Sequence, residues 1–446
     1  MFTELNLSNF KCFVETGPVP LRPLTLIFGL NNSGKSSLIK PILLLAQTAA
    51  QGRGVSDVIT TNGPFANAGT FDDMVSRHVD HCQSFSFGVG ISDIQLSHRR
   101  ERNRQSELNS VSFFVTIRKD PETALSIVSA ATTSSSGEVL IDVDRGVSGP
   151  VFGEASKDLT EAFQPHFLSF LPYLFPSRDK GQGRPTLDWD RYMLLSEVSE
   201  GILNQFGNVQ RVKPLRQQIP WTTLLGAASD SGPGAGGEDF VQFMASLDAA
   251  GKQDKRAAEI RDWVVNRFKT LNSIGFTKLD RNRTVGKLVG RDRGGASRVN
   301  LAGMGEGVGQ LLPIVASVVT MNSPGCLIVE QPEIHLHPEA QAHLGDLFVH
   351  TVDADRKKQI IVETHSEHLL LRVRRRIAEG SLDPSRVAVL YVERQRRGST
   401  VRSLDLADDA SFADWPSGFF DEAYKESLAM VRAIAERRAQ HPENQV

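Results

Sequence analysis

The amino-acid sequence predicts an α/β fold organised around one strand, one loop and one helix near the N-terminus. Thr25–Phe28 has the composition of a buried strand, the glycine-rich segment 29–34 follows it directly, and Leu38–Leu45 has the apolar character of a packed helix. Further on, alternating segments predict antiparallel strands, and two apolar runs end in acidic residues. These three observations favour a mixed α/β core with a separate antiparallel lobe.

Length, charge and cysteine content limit the class of protein. The 446 residues suggest about two or three domain-sized units. A formal net charge of −2 argues against nucleic-acid binding by bulk electrostatics, so any such contact must be local. Cys12, Cys82 and Cys326 are scattered, as expected in a reducing cytosol, and none is a candidate nucleophile.

The sequence also gives an expectation about location. The first residues lack a charged-then-apolar signal pattern. The longest apolar run, near Leu311–Val319, is too short to cross a bilayer. We therefore expect a soluble cytoplasmic protein with no membrane partner.

The segment G-L-N-N-S-G-K-S, residues 29–36, has the pattern of a P-loop. Gly29 and Gly34 permit backbone conformations that a side chain would block, so successive N–H groups can surround a triphosphate. Lys35 supplies a charge for the β- and γ-phosphates, and Ser36 a hydroxyl ligand for Mg²⁺. The predicted phosphate-binding residues are Gly29, Asn31, Asn32, Ser33, Gly34, Lys35, Ser36 and Ser37.

A strand ending in N-F-K-C-F, residues 9–13, precedes the P-loop strand. Together with L-T-L-I-F-G-L-N-N-S-G-K-S-S-L, residues 24–38, it resembles the N-terminal half of an ABC-type ATPase head of the RecF, SMC, Rad50 and OLD kind. The resemblance implies ATP and Mg²⁺ as cofactors and places Lys11 near the phosphates. A solvated lysine at a strand end is an equally good interpretation of Lys11.

The next stretch predicts the β-rich lobe of such a head, because Phe85–Ile91, Val111–Arg118 and Val139–Val143 alternate like antiparallel strands. The family's Q-loop stays unassigned, since no glutamine lies where it is expected and Gln47 falls within the first helix. The basic run 98–104 could grip phosphates, but a solvated loop is favoured for a charge run.

Residues 155–298 read as an insertion, mainly helical, with a Ser/Gly/Pro loop at 227–237 that we expect to be mobile. It contains no sustained heptads, which excludes a long coiled coil. Its P-L-R element, residues 214–216, resembles one in the prokaryotic RecF-like group that carries the DUF3696 region. Arg216 either contacts the nucleotide or dimer face or packs structurally.

The glycine-rich segment 300–310, N-L-A-G-M-G-E-G-V-G-Q, leads into an apolar helix and resembles the ABC signature. Gly305 stands where the family usually has serine, and Gly307 stands at the signature glycine, so only backbone donors remain. In the family this element contacts the γ-phosphate bound on a second subunit. The resemblance therefore implies a homodimer with two composite sites.

The segment G-C-L-I-V-E-Q-P-E-I-H-L-H-P, residues 325–338, reads as a Walker B strand, and Glu330 is its candidate Mg²⁺ ligand. Gln331 stands where related ATPases carry a glutamate that polarises the attacking water. An amide positions water but accepts no proton, so slow hydrolysis is expected, with Glu333 as the alternative base. For His335 and His337, turn and dimer-contact roles are favoured over metal binding.

The segment Q-I-I-V-E-T-H-S, residues 359–366, resembles the switch region of ABC ATPases. His365 would reach the γ-phosphate and sense its loss; a core histidine is the alternative. The helix that follows carries four arginines, which form either a solvated face or a patch for DNA or an acidic partner: Arg372, Arg374, Arg375 and Arg376.

W-P-S-G-F-F-D-E, residues 415–422, is a second element that resembles the DUF3696 group. No acidic cluster of the Toprim type is present, so a self-contained nuclease is not expected. The predicted regions are 1–154, the N-terminal half of the head; 155–298, the insertion; 299–395, the C-terminal half; and 396–446, the small DUF3696-like region.

The resemblances together imply an ATP-binding and ATP-hydrolysing protein that dimerises on MgATP. Relatives of this kind are tied to phage defence or DNA repair, which implies a sensor or regulator of a separate effector such as a nuclease or toxin, with DNA as a further candidate partner. The alternative is an ATP-gated scaffold, nearly inactive in hydrolysis, that holds such a partner. A transporter ATPase is disfavoured by the N-F-K strand and the large insertion.

Overall fold

The fold contains several β-sheets and the helices that pack against them. The structure, a computed structural model, describes residues 1–51, 58–94, 110–119, 125–146, 149–160, 163–176, 189–225, 232–250, 254–281, 284–295, 297–413, 420, 425–426 and 429–433.

The strands in chain order are β1 (Phe2–Phe10), β2 (Phe13–Glu15), β3 (Val19–Pro20), β4 (Leu24–Gly29), β5 (Ser84–Ser92), β6 (Ser110–Arg118), β7 (Ser126–Ser134), β8 (Val139–Gly146), β9 (Gly149–Phe152), β10 (Phe163–Leu168), β11 (Leu171–Pro176), β12 (Val209–Val212), β13 (Thr223–Leu224), β14 (Ser273–Lys278), β15 (Val285–Arg291), β16 (Val299–Asn300), β17 (Gly325–Glu330), β18 (Lys358–Glu363), β19 (Val387–Gln395) and β20 (Gly398–Leu404). The α-helices are α1 (Lys35–Ala50), α2 (Phe71–Met74), α3 (Trp189–Gly207), α4 (Phe240–Ala249), α5 (Lys255–Asp262), α6 (Glu306–Thr320), α7 (Pro338–Ala354) and α8 (Glu367–Ala378).

A central six-stranded sheet has the order β12-β17-β18-β4-β19-β20. Its first five strands are parallel, and β20 runs antiparallel to β19. The strand β18 therefore lies between the P-loop strand β4 and the predicted Walker B strand β17. Because parallel strands end at the same edge of a sheet, the carboxyl ends of these three strands meet there, which is where open α/β sheets bind their ligands.

Both faces of this sheet are buried, which explains its nearly continuous apolar strands. Leu26 and Phe28 of β4 face a core that contains α6, α7 and α8, whereas Ile27 faces a second core shared with α1 and the antiparallel lobe. This layering confirms the predicted mixed α/β core.

The antiparallel lobe is a second sheet with the order β2-β1-β5-β6-β7-β8-β9, to which β3 adds by pairing with β1. The three alternating segments predicted as strands are β5, β6 and β8. The sequence did not predict β7, because Ser126–Ser134 is rich in serine and threonine and lacks an apolar alternation. Pairing with β6 and β8 on either side stabilises it as a strand.

The segment predicted as an insertion contains α3, α4 and α5 and also several strands. The hairpin β10-β11 packs with α3, and β14 and β15 pair in a four-stranded sheet. The strand β12 joins the central sheet beside β17, so part of this segment belongs to the core. The longest helix in the described part of the chain is α3, with 19 residues. The four region boundaries stay predictions.

Some predicted features fall outside the described residues: the basic run 98–104, positions 227–231 of the Ser/Gly/Pro loop, and most of the 415–422 element. Among the residues that are described, no helix is both long and apolar enough to cross a membrane.

Candidate functional site

The P-loop connects β4 to α1 through a tight turn that only certain residues can form. Gly29 and Gly34 have φ values of 148° and 111°, and Asn32 has φ 61°. A Cβ on Gly29 would lie 2.3 Å from the carbonyl oxygen of Val392, and one on Gly34 would lie 2.4 Å from the Sγ of Cys12. Both glycines are therefore required by conformation and by contact.

Lys35 is the first residue of α1, and its ammonium group lies against the loop. Its Nζ donates to the carbonyl oxygens of Gly29 at 3.0 Å and Leu30 at 2.9 Å. Burial lowers the pKa of Lys35, while the charges of Glu363 and Glu333 act in the opposite direction. The cation is thus held where the loop and the helix N-terminus meet, as a phosphate site requires.

An open cleft of about 550 Å³ lies beside this loop. Its lining contains most of the phosphate-binding residues predicted from the sequence, the predicted catalytic residue Gln331, and three residues that were not predicted, Cys12, Glu363 and Arg394. The lining residues are Lys11, Cys12, Asn31, Asn32, Gly34, Lys35, Ser36, Ser37, Gln331, Glu363 and Arg394.

Lys11 lines the cleft, and its Nζ donates to the carbonyl oxygen of Asp73 at 3.0 Å. Burial, and then the charge of Lys40, lower the pKa of Lys11. Arg394 comes near the end of β19, whose residue Val392 lies opposite Gly29 in the parallel register. Two cationic side chains therefore line the cleft in addition to Lys35.

Ser36 and Gln331 both contact Glu363, at the end of β18. The Ser36 hydroxyl donates to Oε1 of Glu363 at 2.8 Å, and the Gln331 backbone N–H donates to the Glu363 carbonyl oxygen at 2.7 Å. Gln331 has φ 44°, in the left-handed region. Burial is the main cause of a raised pKa for the Glu363 carboxyl, and the bond from Ser36 opposes it. The amide side chain and this carboxylate line the same cleft.

Glu330 ends β17, but it is not among the residues that line the cleft. Its Oε1 accepts from Nε of Arg211 at 2.5 Å, and both side chains are mostly buried. A terminal guanidinium nitrogen of Arg211 also donates to the carbonyl oxygen of Phe65. The role of Glu330 as a Mg²⁺ ligand stays a prediction, and its partner Arg211 was not predicted.

Glu333 accepts two hydrogen bonds from the segment after β18. Thr364 donates its hydroxyl to Oε2 at 2.8 Å, and the backbone N–H of His365 donates to Oε1 at 2.6 Å. Burial raises the pKa of Glu333 against these bonds and the charge of Arg216. The carboxylate is therefore held in one orientation, which suits a group that positions or deprotonates water.

Arg216 is only 4% exposed. Its Nε donates to Oε1 of Gln310 on α6 at 2.8 Å, and Gln310 Nε2 returns a bond to the Arg216 carbonyl oxygen at 3.0 Å. Burial lowers the pKa of Arg216 to about 10, and the charge of Glu333 opposes this. The P-L-R element thus packs on the helix that follows the signature segment, in agreement with the structural alternative.

His365 is exposed, which argues against a core histidine. Partial desolvation of its ring and the charge of Lys35 lower the pKa of His365. The neutral imidazole is therefore favoured near Lys35, and its contact with a γ-phosphate stays a prediction.

The signature segment begins α6 with Gly305 at the N-cap. Neither Gly305 nor Gly307 is among the residues that line the P-loop cleft. A Cβ on Gly307 would lie 2.8 Å from the carbonyl oxygen of His335, whereas one on Gly305 would meet nothing within 4 Å. At the start of α6 there is therefore room for a side chain at Gly305, whereas the His335 carbonyl group leaves no room for one at Gly307.

The two histidines after Walker B have local roles. His335 Nδ1 lies 3.6 Å from Oε2 of Glu306, and His337 caps α7 by accepting from the Glu339 N–H at 3.3 Å. In the described part of the chain, no group of three or more His, Cys, Asp and Glu is arranged to hold a metal ion. The turn role predicted for this pair is consistent with these contacts.

The arginines of α8 are paired with acids and backbone. Arg372 and Arg376 both bond Asp346, and Arg375 lies 2.7 Å from Glu379. Arg374 donates to the carbonyl oxygen of Ala410 at 2.8 Å. These contacts favour the solvated structural face over a patch for DNA.

Gln47 has a structural role as well. Its Nε2 donates to the carbonyl oxygen of Thr60 at 2.6 Å, and its Oε1 accepts from the Ala66 N–H at 2.8 Å. Gln47 therefore anchors the segment after α1, which agrees with leaving the Q-loop unassigned.

Glu363 and Arg394 were missed by sequence reasoning, although each carries a local signal. Glu363 is a charged residue at the end of an apolar strand, and Arg394 is a basic residue near the end of the next strand along the chain. What the sequence could not show is that both strands flank β4.

Comparison with known proteins gives matches over most of the chain. Residues 24–372 match the family described as "AAA domain, putative AbiEii toxin, Type IV TA system", and residues 382–429 match the family of unknown function DUF3696. A DNA double-strand break repair Rad50 ATPase of Halobacterium salinarum is 38% identical over 82 residues. That match covers 18% of this chain and 8% of the relative's length.

Solved structures with a similar fold include two heads of SMC proteins. An SMC head bound to the C-winged helix domain of ScpA has a TM-score of 0.44 at 12% identity, covering 91% of this chain and 98% of that one. The SMC head domain of Thermotoga maritima has a TM-score of 0.39 at 12% identity, covering 91% and 99%.

Proposed function

The chain belongs to the AAA-domain family whose model matches residues 24–372, and its residues 382–429 match DUF3696; from this we propose that the protein is an ATPase. It would bind and hydrolyse MgATP at the P-loop. The observation that carries the proposal is the cleft of about 550 Å³ where the loop, Lys35, Ser36, Gln331 and Glu363 converge.

Phosphate binding would use the loop and its cations. Backbone N–H groups of the loop would donate to the phosphates. Lys35 bonds two carbonyl oxygens of the loop, and a bound phosphate would take their place as its partner. Lys11 and Arg394 line the same cleft. This charge suits a polyanion such as a triphosphate.

Water activation would be shared between an amide and a carboxylate. Gln331 lines the cleft and can orient water by hydrogen bonding, but it accepts no proton at neutral pH. Glu333 can accept one, and the bonds from Thr364 and His365 orient it. We therefore expect measurable but slow hydrolysis, with His365 responding to the loss of the γ-phosphate.

Dimerisation is supported by the position of the signature segment. Because Gly305 and Gly307 do not line the P-loop cleft of their own chain, their backbone donors would reach a γ-phosphate from a second copy. Gly305 is open to such an approach. Two head-to-tail copies would complete two sites, and ATP would favour the dimer through its tighter binding there.

The proposed role is a sensor or regulator in a DNA-linked process such as phage defence or repair, acting on a separate effector. The family description names a toxin of a toxin–antitoxin system, and the relative from Halobacterium salinarum is named as a repair ATPase. The first name is a reason to test a link to defence, and the second is a reason to test DNA as a ligand; the separate nuclease or toxin partner is part of the proposal.

A second candidate is an ATP-gated scaffold that hydrolyses almost no ATP and holds the effector. It is favoured by Gln331, which lines the cleft where related ATPases have a glutamate. Turnover of ATP with and without DNA distinguishes the two. The ATPase proposal predicts multiple turnovers per chain, and the scaffold predicts a bound ATP that persists; identification of co-purifying proteins then tests the effector.

A further inference from the structure

Glu363 is a buried carboxylate with only one of its two oxygens satisfied. Glu363 is 4% exposed to solvent. Oε1 accepts from the Ser36 hydroxyl at 2.8 Å, whereas Oε2 is shielded from solvent and has no hydrogen-bond partner among the described residues. Leaving a buried charged oxygen unpaired is unfavourable and calls for an explanation.

Glu330, the carboxylate that the sequence predicts for Mg²⁺, is in the opposite situation. It bonds Arg211 through Nε, and the charge of Lys40 on α1 also acts on it. Its side chain is 6% exposed and does not line the cleft. Glu330 therefore already has cationic partners before any metal binds.

The strand order gives the reason for this division. Glu363 of β18 lies beside Ile27 of the P-loop strand β4 on one side. On its other side, away from β4, it lies beside Glu330 of β17. Neighbouring strands are about 4.8 Å apart. Glu330 is thus one strand farther from β4, and nearer to Arg211 on β12.

We propose that Glu363 supplies the protein carboxylate of a Mg²⁺ site that it forms with the Ser36 hydroxyl, and that Glu330 holds Arg211 instead. The assignment rests on the proposed function, since phosphates of a bound nucleotide would complete the site. Mg²⁺ is commonly held by one or two carboxylates together with substrate phosphates and water. Such a site needs no cluster of three protein ligands, and the described residues contain none.

The test compares Glu363→Gln with Glu330→Gln in the full chain. Glutamine at 363 keeps the shape of the side chain and an acceptor for Ser36, but it removes the negative charge. Calorimetry measures the affinity for ATP with Mg²⁺ and with EDTA, and electron paramagnetic resonance measures Mn²⁺ binding in the presence of ATP.

We expect Mg²⁺ to tighten ATP binding to the parent and to Glu330→Gln. In Glu363→Gln, the factor by which Mg²⁺ increases the affinity for ATP should be smaller by about tenfold or more, the range usual for residues around a metal. The affinity for Mn²⁺ should fall by a similar factor. Glu363→Asp keeps the charge and should retain part of the gain.

Stability gives a second measurement that does not depend on activity. Without metal and nucleotide, Glu363→Gln should unfold at a urea concentration equal to or above that of the parent, because a buried charge has been removed. A merely structural carboxylate would give a less stable variant.

Three results would overturn the assignment: Glu363→Gln retains the full effect of Mg²⁺, Glu330→Gln alone loses it, or Glu363→Gln is the less stable protein without metal. A parent that binds no ATP at all would refute the proposed function itself. That outcome is distinct, because the first two results require a parent that binds ATP and the third is measured without nucleotide.

Discussion

Arg211 and Glu330 form a mostly buried ion pair between adjacent parallel strands, with Nε donating to Oε1 at 2.5 Å. Neither strand carries another charged residue. Removing the charge of Glu330 would therefore leave the buried guanidinium without its counter-charge, although the carbonyl oxygen of Phe65 would still accept a hydrogen bond from it.

Glu330→Gln should lower the free energy of unfolding of the nucleotide-free protein by about 1–3 kcal/mol, because the amide oxygen can still accept from Nε but the buried guanidinium loses its counter-charge. Urea unfolding followed by circular dichroism measures it. The matched control is Glu379→Gln, which removes the pairs that this exposed residue makes with Arg375 and Arg376 on α8 and should cause little change. Equal stability of the two variants would contradict the importance of the buried pair.

Lys35→Ala should abolish ATP binding and leave the fold intact. The change removes the charge that would face the β- and γ-phosphates, whereas the two bonds that Lys35 makes go to loop carbonyl oxygens. Calorimetry with MgATP measures the binding. Lys119→Ala is the control, because that lysine pairs with Asp72 on the exposed surface. A Lys35→Ala protein that binds MgATP as tightly as the parent would exclude the P-loop assignment.

Gly305→Asp should block ATP-dependent dimerisation, because it would put a carboxylate against the γ-phosphate of the second copy. Gly305→Ser is the matched control. Serine and aspartate are both good N-caps for α6, and a Cβ at this position meets nothing within 4 Å. Sedimentation with MgATP should show a dimer for Gly305→Ser and separate chains for Gly305→Asp.

Gly307→Asp tests the same idea at the signature glycine, but its Cβ would crowd the His335 carbonyl oxygen at 2.8 Å. Gly307→Ala therefore has to be measured beside it, so that crowding and charge can be separated. Unchanged association of both aspartate variants would count against the signature assignment. A dimer that forms without ATP would require a measurement of head engagement in place of mass.

Gln331→Glu should speed hydrolysis if position 331 holds the general base, since such a group contributes ~10²–10⁴-fold. It should also shorten the lifetime of the ATP-bound dimer. If Glu333 is the base, Gln331→Glu would change little and Glu333→Gln would abolish turnover. Single-turnover hydrolysis of both variants decides between them, and a fast parent that is insensitive to both changes would defeat both assignments.

Glu333 should also make stability depend on pH. Burial raises its pKa above 4.5, so the folded protein binds this proton more tightly than the unfolded chain does. The stability contributed by the proton is complete below pH 4.5 and is lost as the pH rises through the folded-state pKa.

The measurement is the urea midpoint of the parent and of Glu333→Gln from pH 4.5 to neutral pH. The stability of the variant relative to the parent should increase with rising pH, because only the parent has to ionise a buried carboxyl group. A pH-independent difference, or a parent that gains stability over the variant as the pH rises, would show that this pKa is not raised.

Local patterns in the sequence were sufficient for the P-loop and for most strands and helices around it. Gly29 and Gly34 are required by the turn itself, and the apolar runs of β4, β17 and β18 follow from burial on both faces. The sequence did not predict strand β7 of the lobe, because its serines and threonines leave no alternation of apolar and polar residues. Pairing with its neighbours in the sheet makes it a strand.

The sequence alone determined the loop that joins β4 to α1, and it predicted the residues whose role depends on their immediate neighbours: Lys35, Ser36 and the glycines at the start of α6. Only the tertiary structure decided which acid faces the loop, since that depends on the order of strands far apart in the chain. Ser36 and Glu363 are 327 positions apart, and Arg211 and Glu330 are 119 apart. A strand's own sequence records how it is buried, but it does not record which strand pairs beside it, because any two apolar parallel strands form the same backbone hydrogen bonds.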